Sequence, residues 1–164
     1  MAVATSVRLV LAGLVATLLG LVAAPAHAAM PPAGTHVRCA PVAATGMGQD
    51  LGGGQTTATV SVAGVPIGST AATFTITGVV GTTVSFVGPI VFTGLGGTLT
   101  ADVTGTLDAA TGAFTSTSST VTGTGALSGV TGDLTFSGHE DLATGAFTET
   151  ISGHLCAPPP GHRG

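Results

Sequence analysis

Glu149 is the residue of this 164-residue chain whose type and surroundings best suit acid/base chemistry. Alternate side chains of a strand share a face, so Glu149 lies on the same face as Phe147, Ile151 and Leu155. A carboxyl group on an apolar face has a raised pKa and can exchange a proton near neutral pH. A register shift of one residue would instead point Glu149 outward, and a rim position is a further alternative. Glu149 is therefore a weak catalytic candidate.

The other residues that could do chemistry form no recognisable site. The chain has no G-x-S-x-G, H-E-x-x-H or C-x-x-C motif, although a catalytic triad can assemble in space without one. Zinc needs three or four ligands at suitable spacing, and the histidines that follow the apolar N-terminal segment are scattered: His36, His139, His154 and His162. His139-Glu140-Asp141 is interpreted as a solvated hairpin tip. We predict no metal and no cofactor.

Gly46-Met47-Gly48-Gln49-Asp50 matches the G-x-G-x-D core of calcium-binding nonapeptide repeats. Such turns bind calcium only when several are stacked, since neighbouring turns share each ion. One copy predicts an ordinary flexible loop, which the glycines at 52–54 would extend.

The composition excludes several functions. The chain contains no Lys, Asn, Trp or Tyr, so a P-loop, a Schiff-base lysine and an N-glycosylation site are absent. After removal of an N-terminal signal segment the formal charge would be −5, and we predict no nucleic-acid partner because phosphate binding needs a dense basic surface.

The first 28 residues are predicted to be a signal peptide. Arg8 precedes an apolar run over 9–24, and small residues before Ala29 give a cleavage site between Ala28 and Ala29. The run is short for a transmembrane helix and contains two glycines. We expect a secreted, extracellular protein with no membrane attachment after cleavage, one β domain over 29–157 and a disordered Pro-rich tail over 158–164.

Cys39 and Cys156 are predicted to form a disulfide. Both thiols of an exported protein meet an oxidising environment, and the bond would close a loop of 117 residues. It would tie the two ends of the domain together.

Between the cysteines, apolar and polar residues alternate with a period of two. In the segment 99–107 every odd position is apolar or Gly and every even position is polar, as in a half-buried strand. Asp102 and Asp133 fall on the polar faces of their strands. About eight strands are predicted, near residues 35–42, 56–63, 71–78, 82–92, 97–107, 113–122, 132–140 and 146–156.

A repeat with an offset of 33 residues covers two of these strand connections, DAATGAFTST at 108–117 and DLATGAFTET at 141–150. Each copy predicts a β-hairpin in which the Asp carboxylate accepts backbone N–H bonds and the Gly adopts the left-handed conformation. Phe114 and Phe147 then begin the return strands on equivalent faces.

Eight antiparallel strands can close into a barrel, and closure removes the edge strands through which sheets aggregate. This chain has few charged residues that could protect such edges. A two-sheet sandwich has the same number of strands. The sequence predicts an all-β fold, and we favour the closed barrel.

The stretch GTGALSGVTGDLTFSG at 123–138, followed by D-x-x-T-G-x-F, resembles the Gly-rich pattern of allene oxide cyclase-like barrels, including small secreted actinobacterial members. The resemblance covers about 85–156 and implies an eight-stranded barrel with a central cavity. It does not imply cyclase activity, because the plant enzymes use an Asn and this chain has none.

Three functions follow as expectations. The first is a non-enzymatic barrel that binds a small apolar ligand in its interior. The second is a structural or surface-interaction protein that acts through Thr-rich sheet faces, motivated by repeated T-x-T patterns such as 104–106 and 115–117. The third is a cyclase-like or hydrolytic enzyme. The sequence does not identify the ligand or the oligomeric state, and it does not show whether side chains fill the barrel interior.

Overall fold

A computed structural model describes residues 37–158, and every element within that range is a β-strand. The first five strands are β1 (Arg38–Gly52), β2 (Gln55–Val62), β3 (Val65–Thr73), β4 (Thr75–Val80) and β5 (Thr83–Gly94). The other five are β6 (Gly97–Asp108), β7 (Ala113–Ser118), β8 (Val121–Gly125), β9 (Thr131–Glu140) and β10 (Ala146–Ala157). Across residues 37–158, no helix is long and apolar enough to cross a bilayer.

The strands form a closed antiparallel barrel. Eight of them pair in the cyclic order β1, β2, β3, β5, β6, β7, β9, β10, and the β5–β6 pairing completes the ring. Two further strands extend it, since β4 pairs with β5 beyond the end of β3 and β8 pairs with β6 beyond the end of β7. The fold is therefore the predicted closed barrel and not a two-sheet sandwich.

The barrel has two different ends. The mouth end carries the β1–β2, β4–β5, β6–β7 and β9–β10 turns, which include both copies of the repeat. The disulfide end carries the other three turns and the start of β1 beside the end of β10, where Cys39 is bonded to Cys156 as predicted. The two cysteines are register partners across these neighbouring strands. Such a bond fits an extracellular or otherwise oxidising environment.

Side chains fill the half of the barrel nearer the disulfide end. The buried core consists of apolar residues, most of them small or medium-sized, from seven strands of the ring and from β8: Ala44, Val60, Ala72, Ile90, Ala101, Val103, Val121, Leu134, Phe136 and Ile151. The predicted alternation in β6 is confirmed, because Ala101, Val103 and Gly105 are buried while Asp102 and Thr104 are exposed. Asp133 is exposed as well.

The two copies of the repeat form nearly identical turns. The Ala110 N–H donates to Asp108 Oδ1 at 2.9 Å, and the Ala143 N–H donates to Asp141 Oδ1 at the same distance. Gly112 and Gly145 have φ of 79° and 73°, the left-handed region that glycine adopts without steric cost. The predicted hairpins and their Asp and Gly roles are confirmed.

Three predicted boundaries were wrong. The first strand does not end near residue 42 but continues to Gly52, so the predicted loop at 46–50 is strand, paired with β2 and β10 on its two sides. The segment 71–78 spans the end of β3 and the start of β4, interrupted at Phe74. The segment 113–122 is divided near residue 119, where the Ser118 hydroxyl donates to the Thr120 carbonyl at 2.7 Å.

Several sequence predictions lie outside residues 37–158. These are the signal segment with its cleavage site at Ala28 and Ala29, the histidines His36 and His162, and the tail beyond Pro158.

Candidate functional site

The mouth half of the barrel contains a cavity of about 220 Å³. Its wall is mainly apolar, with four of the six phenylalanines of the chain and a set of aliphatic side chains: Phe74, Phe86, Phe114, Phe147, Ala72, Ile76, Val84, Ile90 and Leu107. Three hydroxyl groups, from Thr56, Thr70 and Ser116, also line it. The barrel interior is therefore filled at one end and hollow at the other.

The phenylalanines form two pairs in this wall. The rings of Phe74 and Phe86 have centroids 4.8 Å apart with an interplanar angle of 49°. Phe114 and Phe147, the equivalent residues of the two repeats, are 6.0 Å apart and meet edge to face at 86°. Their placement on equivalent inner faces confirms the prediction made from the repeat, and edge-to-face contact is a favourable geometry for two rings.

Glycines on the inner face of the strands give these side chains their room. A Cβ atom added to Gly46 would lie 2.5 Å from Glu149 Oε1 and 2.6 Å from Glu149 Cγ. One added to Gly138 would lie 2.6 Å from Phe114 Cζ, and one added to Gly105 would lie 2.6 Å from Phe86 Cζ. The glycines of the G-M-G-Q-D motif therefore serve the cavity rather than a calcium turn.

Three carboxyl groups line one side of the cavity, on three neighbouring strands. Asp50 comes from the end of β1, Glu149 from β10 and Glu140 from the end of β9. Glu149 lies deepest, two residues along β10 from Phe147 at the mouth and two from Ile151, which is 5% exposed and belongs to the filled half. Its register partners on either side are Gly46 and Gly138.

Burial changes the ionisation of two of these groups. Loss of hydration raises the pKa of Glu149 to about 7, so its carboxyl is partly protonated near neutral pH. The pKa of Glu140 is also raised, first by burial and then by the negative charge of Asp50. By contrast, backbone N–H bonds from Ala110 and Ala143 lower the pKa of the turn residues Asp108 and Asp141.

The sequence identified one member of this acidic group and missed two. Glu149 points inward on the apolar face predicted for it. His139-Glu140-Asp141 was interpreted as a solvated hairpin tip, which holds for the exposed His139 and Asp141 but not for Glu140, whose side chain falls on the inner face of β9 and lines the cavity. Extending the alternation of Leu134 and Phe136 by four residues would have found it. Asp50 was missed because its segment was interpreted as a loop.

The histidines of the described range are not part of this site. His139 and His154 are exposed on the outer faces of β9 and β10, and neither lines the cavity. Among residues 37–158, no group of three or more His, Cys, Asp or Glu side chains is arranged to hold a metal ion.

The outer wall carries an array of hydroxyl groups on β6, β7, β9 and β10. Its two rows follow the strand register, and it comprises Thr104, Thr106, Thr115, Thr117, Thr135, Ser137, Thr150 and Ser152. The array curves with the barrel wall. A second pair of T-x-T patterns, at 98–100 on β6 and 122–124 on β8, also lies side by side on adjacent strands.

Comparison with protein-family models, with curated proteins and with solved structures finds no match to this chain.

Proposed function

We propose that this chain is a secreted binding protein that holds a small apolar molecule in the hollow half of its barrel. The observation that carries the proposal is the contrast between the two halves, one filled by its own side chains and the other open and lined by four phenylalanines. Small barrels of eight strands are wide enough to be filled or to hold one small ligand. Here one barrel does both, at opposite ends.

The size of the cavity sets the size of the ligand. An apolar cavity of about 150 Å³ binds benzene. A cavity of about 220 Å³ therefore suits a body of one or two fused rings or a short branched chain. Larger molecules would extend through the mouth, where Ile76, Val79 and Val80 of the β4–β5 hairpin expose apolar surface.

Export is supported by the predicted signal segment and by the disulfide, which is stable outside the cytosol. The resemblance to allene oxide cyclase-like barrels stays a hypothesis about ancestry. It does not imply that this chain catalyses the cyclase reaction.

Two other functions remain alternatives. Contact through the hydroxyl array is favoured by its alignment across four strands, but a flat partner would touch only part of a curved wall. A proton-transfer enzyme would use Glu149, whose carboxyl is the inward-facing group suited to gaining and losing a proton near neutral pH.

Binding of 1-naphthalenemethanol, a neutral two-ring probe, tests the binding function. The protein has no Trp or Tyr, so naphthalene fluorescence can be read directly against it. The variant Ala72→Phe should fill the cavity and weaken binding at least about tenfold, since Ala72 is buried and lines it. Ala71→Phe is the matched control, because the neighbouring Ala71 is exposed on the outer face.

Equal affinity in both variants would place the probe elsewhere on the protein. No binding to the wild type would count against the proposed function. Circular dichroism and the unfolding midpoint of each variant check that Ala72→Phe still folds.

A further inference from the structure

One side of the cavity is acidic, and among residues 37–158 no Lys, Arg or His side chain lines it. Asp50 and Glu140 lie on the two strands that flank the start of β10, and Glu149 lies deeper on β10 itself. Strands β2 to β7 contribute only uncharged side chains to the cavity. Within residues 37–158 the chain has one arginine and no lysine, and that residue, Arg38, begins β1 at the disulfide end.

The fold does not require a carboxyl group at position 149. The two copies of the repeat place Ser116 and Glu149 at equivalent positions, and both residues line the cavity. The first copy therefore forms the same hairpin and return strand with a small hydroxyl. A buried carboxylate without a cation is costly in the empty protein, and a bound cation would remove that cost.

The aromatic side chains near Glu149 add a second attraction of the same kind. Phe147 precedes Glu149 by two residues on the same face, and Phe114 leans over Gly138, the register partner of Glu149. The face of an aromatic ring attracts ammonium groups, most strongly where water is excluded. An ammonium group held by Glu149 would therefore lie near both a carboxylate and these two rings.

We infer that the ligand is a lipophilic amine, whose apolar body fills the phenylalanine-lined cavity and whose ammonium group is held by Glu149, with Glu140 and Asp50 nearer the mouth. This inference rests on the proposed binding function and names the chemical class of its ligand. The apolar wall binds the body, and the acidic side selects the charge.

Three probes with the same ring system separate charge from shape. They are 1-naphthylmethylamine, which is a cation at pH 7.5, the neutral 1-naphthalenemethanol and the anion 1-naphthoate. We expect the wild type to bind the cation at least about tenfold more tightly than the alcohol, and the anion most weakly. Low salt is used, since ionic strength screens the attraction at the mouth.

Glu149→Gln keeps the size of the side chain and removes its charge. It should abolish most of the preference for the cation while changing the affinity for the alcohol by less than about twofold, which also shows that the cavity is intact. Glu140→Gln should reduce the preference less, because Glu140 is nearer the mouth. Asp102→Asn on the outer wall of β6 is the control for the change in net charge.

Lowering the pH from 7.5 to 5 should weaken binding of the cation and leave the alcohol unchanged, because protonation neutralises Glu149. The possible failures are distinguishable. If the alcohol binds in the cavity but the cation is not preferred, or if Glu149→Gln keeps the preference, the amine inference is wrong and the binding function stands. If neither probe binds, the proposed function fails as well.

Discussion

At the scale of the residue, the buried Glu149 carboxyl opposes folding at neutral and alkaline pH. Burial between Phe147 and Ile151 removes water from the carboxyl and raises its pKa from 4.5 to about 7. The folded protein therefore holds this proton more tightly than the unfolded chain does. Well below pH 4.5 the carboxyl is protonated in both states and has no effect on stability. As the pH rises towards 7, ionisation increasingly favours the unfolded chain.

Glu149→Gln should accordingly stabilise the protein at high pH. The change should raise the free energy of unfolding at pH 8 by up to about 3 kcal/mol, because one pKa unit corresponds to about 1.4 kcal/mol. At pH 4 the variant and the wild type should be equally stable. Urea unfolding at several pH values measures the difference.

Asp102→Asn removes one exposed carboxylate from β6 and controls for net charge. A Glu149→Gln variant whose gain at pH 8 matches that of this control would show that burial of the carboxyl carries no cost.

At the scale of the element, β1 owes its shape to glycines at inward positions. Gly46 and Gly48 leave space for Glu149 and Phe147, which project from β10 next to it. An ordinary side chain at either position would compete with these two. The strand β1 therefore pairs with β10 and β2 on its two sides, while Gly46 and Gly48 leave its inner face without side chains at two successive inward positions.

Gly48→Ala should destabilise the protein by about 1 to 3 kcal/mol, the usual cost of overpacking. Its new Cβ would collide with the Thr57 carbonyl oxygen and with the Phe147 ring, and would lie 2.7 Å from the Ala58 Cβ. Thermal unfolding of the purified variant measures the loss.

Gly78→Ala in β4 is the matched control, since no atom lies within 4 Å of its added Cβ. It should leave stability unchanged or raise it by up to about 1 kcal/mol, because alanine restricts the unfolded chain. A similar loss in both variants would mean that glycine is needed for backbone freedom in these strands, not for space.

At the scale of the whole molecule, the first and last strands join to complete the ring. β1 and β10 pair over twelve residues, and the disulfide links them at the end opposite the cavity. The bond closes a chain segment of 117 residues, so it restricts the unfolded chain strongly. The disulfide and the cavity are therefore located at opposite ends of the barrel.

The double variant Cys39→Ser/Cys156→Ser should lose up to about 4 to 5 kcal/mol of unfolding free energy. Under conditions where it still folds, it should bind 1-naphthalenemethanol with the affinity of the wild type, since the cavity is at the far end. Urea midpoints and probe titrations on one sample measure both quantities. Loss of binding in a folded double variant would show that the disulfide also shapes the mouth.

The sequence by itself determined the class of fold, the disulfide and the paired hairpins. These features depend on local signals, namely alternation of period two, the Asp and Gly residues of the turns, and two cysteines at the ends of the domain. The inward direction of Glu149 was one of the alternatives that its neighbours along the strand allowed. The equivalence of Phe114 and Phe147 followed from the repeat.

Only the tertiary structure decided that the barrel is closed, that one half is hollow and that Asp50 and Glu140 join Glu149. The extent of β1 could not be predicted because glycine and aspartate are poor strand formers by intrinsic preference. They are held in the strand by pairing with β2 and β10 and by side chains that project from β10. The contacts with β10 join residues about a hundred positions apart, and no local pattern in the sequence encodes them.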